Sequence, residues 1–297
     1  VSQRVTEQLH EKAEGLDCRP LAEIALLLSQ GQGRAASCVD AASGQIASAS
    51  QAMAQSITQN AVLHYVAAGS SGLMAAADAM ELGGTFSIPA AQIRIHMAGG
   101  LPTGAEMPGG TEDETDQIRE SLSNIGPQDT VIAVSASGST PYTNEAARIA
   151  SAAGATVIGI ANNAGAELLR LSDHPVLLAT PPELLSGSTR MGAGTAQKIA
   201  LNMLSTLMAV QLGHVHDGMM VNLTADNTKL LSRARGIVAK IAGVEDAAAE
   251  DALSQADGAV KPAILIASGV ESLTKATALL NASKGHLRPV LEKLKNE

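Results

Sequence analysis

Twice in this chain a short apolar run stops in a cluster of glycine and small hydroxyl residues, then resumes as an amphipathic helical pattern. The first unit is VLHYVA (62–67), followed by AGSSG and a helical stretch over 73–82; the second is VIAVSASGSTPY (131–142), leading into a helix over 142–153. Further β-rich runs at 156–162 (TVIGIAN) and 176–180 (VLLAT), with a weaker one at 93–97, continue the alternation. Short apolar strands alternating with helices specify an α/β fold: a parallel sheet covered on both faces, with right-handed connections.

Around that sheet the pattern is helical. Residues 21–57 predict two or three helices, punctuated near Gly31 and Gly33, and 195–212 predict one long amphipathic helix. From Asn227 onward three to five short helices are expected, with Gly243, Gly258, Gly269 and Gly285 at their ends; AILIASG (263–269) reads as a buried helix rather than a strand. The expected organisation is an N-terminal helical segment (1–57), a sheet domain (58–226) and a small C-terminal helical subdomain (227–297).

One Phe, two Tyr and no Trp leave a core of Ala, Leu, Ile, Val and Met and remove aromatic stacking as a recognition device. A formal charge of −9, spread along the chain, argues against a nucleic-acid partner, which calls for a basic patch. Cys18 and Cys38 have neither metal-site spacing nor a disulfide framework, pointing to a reducing, cytoplasmic setting. Arg4, Glu7, Glu11, Lys12 and Glu14 stand where a signal peptide needs an apolar core, and Asn202, Ser205, Thr206 and Gln211 break the longest apolar region, so no membrane association is expected.

In an open parallel sheet, ligands sit beyond the carboxyl ends of the strands, where helix N-termini converge. Small residues there let an anion approach unpaired backbone N–H groups. Ser70, Ser71, Ser135, Ser137, Ser139 and Thr140 occupy such positions, and a third loop at 186–189 adds Ser188 and Thr189. Singly, each also suits a helix cap or turn. The helix dipole supplies only about 0.3–1 kcal/mol at an exposed site, so repeated hydroxyls favour a phosphorylated ligand. Neither loop fits a dinucleotide or nucleoside-triphosphate fingerprint, and the pattern suggests a phosphosugar. His214, His216 and Asp217 suit a solvated turn better than a metal site, and no metal is expected. The recurrent Met residues suit aliphatic packing, and Asn202 suits either a site or a satisfied polar contact.

The stretches DAMELGGTF (78–86), TEDE (111–114), SASGSTPY (135–142), GSTRMGAGTAQKIALNMLST (187–206) and LLNASKGHLRPVL (279–291) resemble the N-acetylmuramic acid 6-phosphate etherase family, built on a sugar isomerase (SIS) domain. Thr6-Glu7 also stands where the family has an early Thr-Glu. The resemblance implies a homodimeric carbon–oxygen lyase with shared active sites, acting on a sugar 6-phosphate without metal or organic cofactor. It places Glu81 as proton donor to the leaving group and Glu112 as the second catalytic carboxylate. Leu73 and Ser139 stand where the family keeps arginines, and Gly83-Gly84 where it keeps Pro-Pro. Arg190, Arg94 and Lys198 are the candidates to replace the lost cations. Elimination or isomerisation on another phosphosugar, or phosphosugar sensing without catalysis, are the alternative functions.

Overall fold

The computed structural model describes residues 4–107, 109–225 and 227–296. The chain divides into two compact units, one of residues 1–80 and 90–205 and one of residues 81–89 and 206–297. The N-terminal helices therefore share a unit with the sheet.

In the first unit, β1 (Leu63–Ala67), β2 (Ile93–Met97), β3 (Thr130–Ser135), β4 (Thr156–Ala161) and β5 (His174–Leu177) form one parallel sheet in the order β2-β1-β3-β4-β5. Every residue of β1 and β3 is buried, as strands covered on both faces require. The helices of this unit are α1 (Leu21–Ser37), α2 (Ser43–Thr58), α4 (Asp116–Ser121), α5 (Pro141–Ala152) and α6 (Glu167–Arg170), with α3 (Gly69–Phe86) as far as Met80 and α7 (Gly192–Gln211) as far as Ser205. Small side chains carry the close packing: Ala146, Ala147 and Ala150 of α5 lie in one buried cluster with Val131, Ala133 and Val157 of the sheet. At Gly159 a Cβ would lie 2.0 Å from Ser172 Oγ, so β4 passes too near its neighbour for any other residue.

Three expectations change. Helix α1 runs through Gly31 and Gly33, and the break falls instead in a 3-10 turn at Cys38–Ala42. Each glycine costs about 1 kcal/mol of helix propensity, but burial of Leu27 and Ala35 on the same helix carries the chain through. Strand β5 covers His174–Leu177 rather than 176–180, because β4 ends at Ala161 and Leu177 is its last partner. Helix α3 begins at Gly69, so Ser70 and Ser71 form its first turn and not a preceding loop.

The second unit has its own core, centred on Val238, Ala249, Ala263, Ile264, Leu265 and Ala276. It contains a small antiparallel pair, β6 (Val215–His216) and β7 (Met219–Met220), and the helices α8 (Thr228–Ala242), α9 (Asp246–Gln255), α10 (Val260–Ala267), α11 (Leu273–Ala282) and α12 (Leu287–Lys295). AILIA (263–267) is helical within α10, as expected, and Ser268 caps it. Lys261 is buried here and donates to the carbonyls of Gly213 (3.4 Å) and Gly285 (3.2 Å). Loss of hydration lowers its pKa to about 8.

On the sheet, His64 and His96 stack with centroids 5.3 Å apart and share a 3.0 Å contact between Nδ1 and Nε2. Burial, then the neighbouring His64 and Arg94, push the His96 pKa down to about 4; burial also lowers that of His64, against the pull of Asp129. The neutral imidazole is favoured by folding, so its contribution is present above the unfolded value near 6.5 and is lost as pH falls towards 4. For His96 that amounts to about 2–3 kcal/mol. The thermal midpoint should therefore fall between pH 6.5 and 4, and fall less in His96→Gln; equal slopes would refute this account.

Candidate functional site

The carboxyl ends of β1 and β3 open into a cavity of about 510 Å³ within the first unit. Each turn is built differently. After β1 the chain turns at Gly69, with φ +53, and enters α3 directly. The first helical bond is Gly72 N–H to the Ala68 carbonyl, 3.0 Å, so the N–H groups of Gly69, Ser70 and Ser71 precede the helical ladder. The Ser70 and Ser71 side chains line the cavity.

After β3 the hydroxyls bond to one another. Ser135 Oγ lies 2.8 Å from Thr140 Oγ1 and 3.3 Å from Ser137 Oγ, and accepts from Gly138 N–H at 3.0 Å. Ser137 Oγ accepts from both the N–H and the Oγ of Ser139, at 3.2 and 3.1 Å. Thr140 occupies the N-cap position of α5, yet its hydroxyl makes no capping bond there. A simple helix-cap role thus does not account for Thr140, whose Oγ1 joins the net facing the cavity.

Ser70, Ser71, Ser135, Ser137, Thr140 and Thr189 all line the cavity, together with Glu112. Ser139 and Ser188 are not among its lining residues. Ser139 is turned onto Ser137, and the third loop contributes only Gly187 and Thr189. The start of α7 is held by buried Glu183, whose carboxylate accepts from Gly192 N–H (3.0 Å) and Ala193 N–H (2.8 Å). A carboxylate at that position satisfies the helix terminus that a phosphate would otherwise use.

Glu112 is exposed and sits against the start of α3: a Cβ on Gly69 would lie 2.9 Å from its Oε1. Its backbone carbonyl accepts from Tyr142 N–H at 3.1 Å, which ties TEDE to the start of α5. Glu81 is exposed, lies on α3 in residues assigned to the second unit, and is not among the cavity-lining residues.

The cation at the cavity is Arg4, on the segment that also brings Thr6 and Glu7. Neither Arg190, Arg94 nor Lys198 lines it: Arg190 and Lys198 are exposed elsewhere, and Arg94 donates to the carbonyls of Ala90 and Ile93. The available signal was Thr6-Glu7, two residues from Arg4. Asn202 has a structural partner, donating at 2.7 Å to buried Asp78, which also accepts from Tyr65 and Ser205. Among the described residues no helix is long and apolar enough to cross a membrane, and no group of three or more His, Cys, Asp or Glu side chains could hold a metal.

The SIS domain family matches residues 111–212, the span holding TEDE, the serine loop and the GSTR loop. A solved structure from Listeria monocytogenes, provisionally described as a sugar-phosphate isomerase, superposes with a TM-score of 0.51 at 13% identity, over 64% of this chain and 90% of that one. That likeness concerns the fold. The N-acetylmuramic acid 6-phosphate etherase of Deinococcus radiodurans is 42% identical over 290 residues, covering 97% of this chain and 95% of that protein. The enzyme of the same name from Streptomyces avermitilis is 39% identical over 289 residues, covering 96% and 93%. With identity at this level running through nearly the whole of both sequences, the chain belongs to the N-acetylmuramic acid 6-phosphate etherase family.

Proposed function

We propose that this protein is a carbon–oxygen lyase that cleaves the lactyl ether of N-acetylmuramic acid 6-phosphate. The observation that carries the reading is the placement of Glu112 in one cavity with hydroxyls from the turns after β1 and β3, in a chain of this family.

In the open-chain sugar the C1 aldehyde acidifies the C2 proton. Glu112 takes that proton, the C3–O bond breaks, and lactate departs with a proton supplied by Glu81. Water then adds across the unsaturated aldehyde, its hydroxyl at C3 and its proton at C2, to leave N-acetylglucosamine 6-phosphate. Such a sequence needs one group as base and another as acid, each typically contributing about 10²–10⁴ in rate. The electron sink is the substrate's own aldehyde, so the proposed chemistry calls for neither metal nor organic cofactor.

The phosphate is assigned to Ser70, Ser71, Ser135, Ser137, Thr140 and Thr189, with Ser139 and Ser188 acting through the shape of their loops. A homodimer with shared sites is the proposed assembly, bringing Glu81 of one subunit to the site of the other. The cytoplasm is the proposed location, in keeping with two free cysteines, and amino-sugar recycling from the cell wall the proposed context.

The test is direct. Purified protein incubated with N-acetylmuramic acid 6-phosphate should release lactate and N-acetylglucosamine 6-phosphate in equal amounts. Binding of the phosphosugar without lactate release would refute catalysis and favour the sensing role.

A further inference from the structure

The turns after β1 and β3 offer an anion neutral donors only: Ser and Thr hydroxyls and backbone N–H groups. Among the described residues the formally charged ones at the cavity are Arg4, Glu7 and Glu112, with a net charge of −1. A phosphate monoester brings about −1.5 to −2 more at pH 7. Neutral donors alone would have to overcome the repulsion of two carboxylates, so the one cation at the wall weighs heavily.

The segment bearing that cation is fastened to the serine loop itself. Thr6 is buried; its N–H donates to Asn163 Oδ1 at 3.4 Å and its Oγ1 accepts from Asn163 Nδ2 at 3.1 Å. The same Asn163 Nδ2 donates to the carbonyl of Ala136 at 3.0 Å, inside SASGST. Gly187 N–H donates to the Thr6 carbonyl at 3.1 Å and Ser186 Oγ to the Glu7 carbonyl at 3.0 Å, joining the strap to the third loop. Arg4 starts the turn, its carbonyl accepting from Glu7 N–H at 2.9 Å. Among the described residues the Arg4 guanidinium has no hydrogen-bond or ion-pair partner.

Resting on the phosphosugar reading of this cavity, we propose that Arg4 is a specificity-determining residue that clamps the sugar phosphate, supplying from the N-terminal strap the positive charge that Leu73 and Ser139 do not. The clip through Thr6, Asn163 and Ala136 favours the phosphate over the lactyl carboxylate, because it ties the strap to the loop that presents Ser135, Ser137 and Thr140. A guanidinium suits this role because its planar fork can bond two phosphate oxygens at once.

Calorimetric titration of wild type, Arg4→Ala and Arg4→Lys with N-acetylglucosamine 6-phosphate and with N-acetylmuramic acid 6-phosphate, the latter bound to Glu112→Gln backgrounds to prevent turnover, tests the assignment. Arg4→Ala should weaken both ligands alike, by about 10- to 100-fold, with Arg4→Lys in between and the unliganded melting temperature unchanged. Loss confined to the carboxylate-bearing ether would overturn the phosphate assignment, as would no loss for either ligand or no binding of N-acetylglucosamine 6-phosphate by the wild type. If wild type releases no lactate but its binding depends on Arg4, the etherase reading falls and the clamp stands. If Arg4→Ala keeps wild-type kcat/KM for lactate release, the clamp falls and the etherase reading stands.

Discussion

Glu112→Gln is expected to lower lactate release from N-acetylmuramic acid 6-phosphate by about 10²–10⁴-fold, the range typical of a lost general base. The change keeps the side chain's shape and removes its charge and basicity. Because Oε1 lies beside Gly69, at the start of α3, that charge also opposes any anion bound at the same turn. Glu112→Gln should therefore bind N-acetylglucosamine 6-phosphate no more weakly than wild type, while turnover collapses. Glu81→Gln should show the same separation of turnover from binding. Turnover near the wild-type rate in either variant would remove that residue from the proton transfers, and a parallel loss of binding would make it a ligand contact instead.

The second large effect is on the loop itself. Gly138 sits at φ +66, and a Cβ there would lie 2.3 Å from the Cβ of Ala166 and 3.0 Å from that of Ala161. Its carbonyl accepts from Leu168 N–H at 3.0 Å, so the loop cannot move away without breaking its tie to α6. Strain from a left-handed alanine costs about 1–2 kcal/mol, and forcing a methyl into packed neighbours about 1–3 kcal/mol. Gly138→Ala should thus lose about 2–5 kcal/mol in urea unfolding and disturb the bonds joining Ser135, Ser137 and Thr140. Gly165→Ala is the matched comparison: φ is +70 but nothing lies within 4 Å of the added methyl, so only the backbone strain should appear. Equal losses in the two variants would show that packing against Ala166 and Ala161 contributes nothing.

These two residues mark different degrees of legibility. The serine loops were readable because an apolar strand, a tight turn and a helix start are all local in sequence, and the same chain segment supplies both the strand end and the hydroxyls. TEDE was readable only through resemblance: its spacing carries no signal, and Glu112 reaches the cavity because its backbone is tied to Tyr142 at the start of α5. Ser188 is not among the residues lining the cavity, and the helix start beside the GSTR loop is occupied by the Glu183 carboxylate. Arg190, Arg94 and Lys198 stand near the motifs in sequence or on the sheet, yet none lines the cavity. Arg4 stands far from every loop along the chain and is brought beside them by Asn163 and by the bonds of Thr6 and Glu7 to the third loop.

By itself the sequence determined the alternation of strands and helices, the aromatic-poor core, the hydroxyl-rich turns and the family. These follow from periodicity, composition and short motifs, all of which act over a few residues. Only the tertiary structure decided where β5 stops, that α1 continues through its glycines, which hydroxyls line the cavity and which cation joins them. Those outcomes depend on packing and partners that periodicity does not carry: a neighbouring strand that ends, a buried face that outweighs propensity, and an asparagine that clips the N-terminal strap to the serine loop.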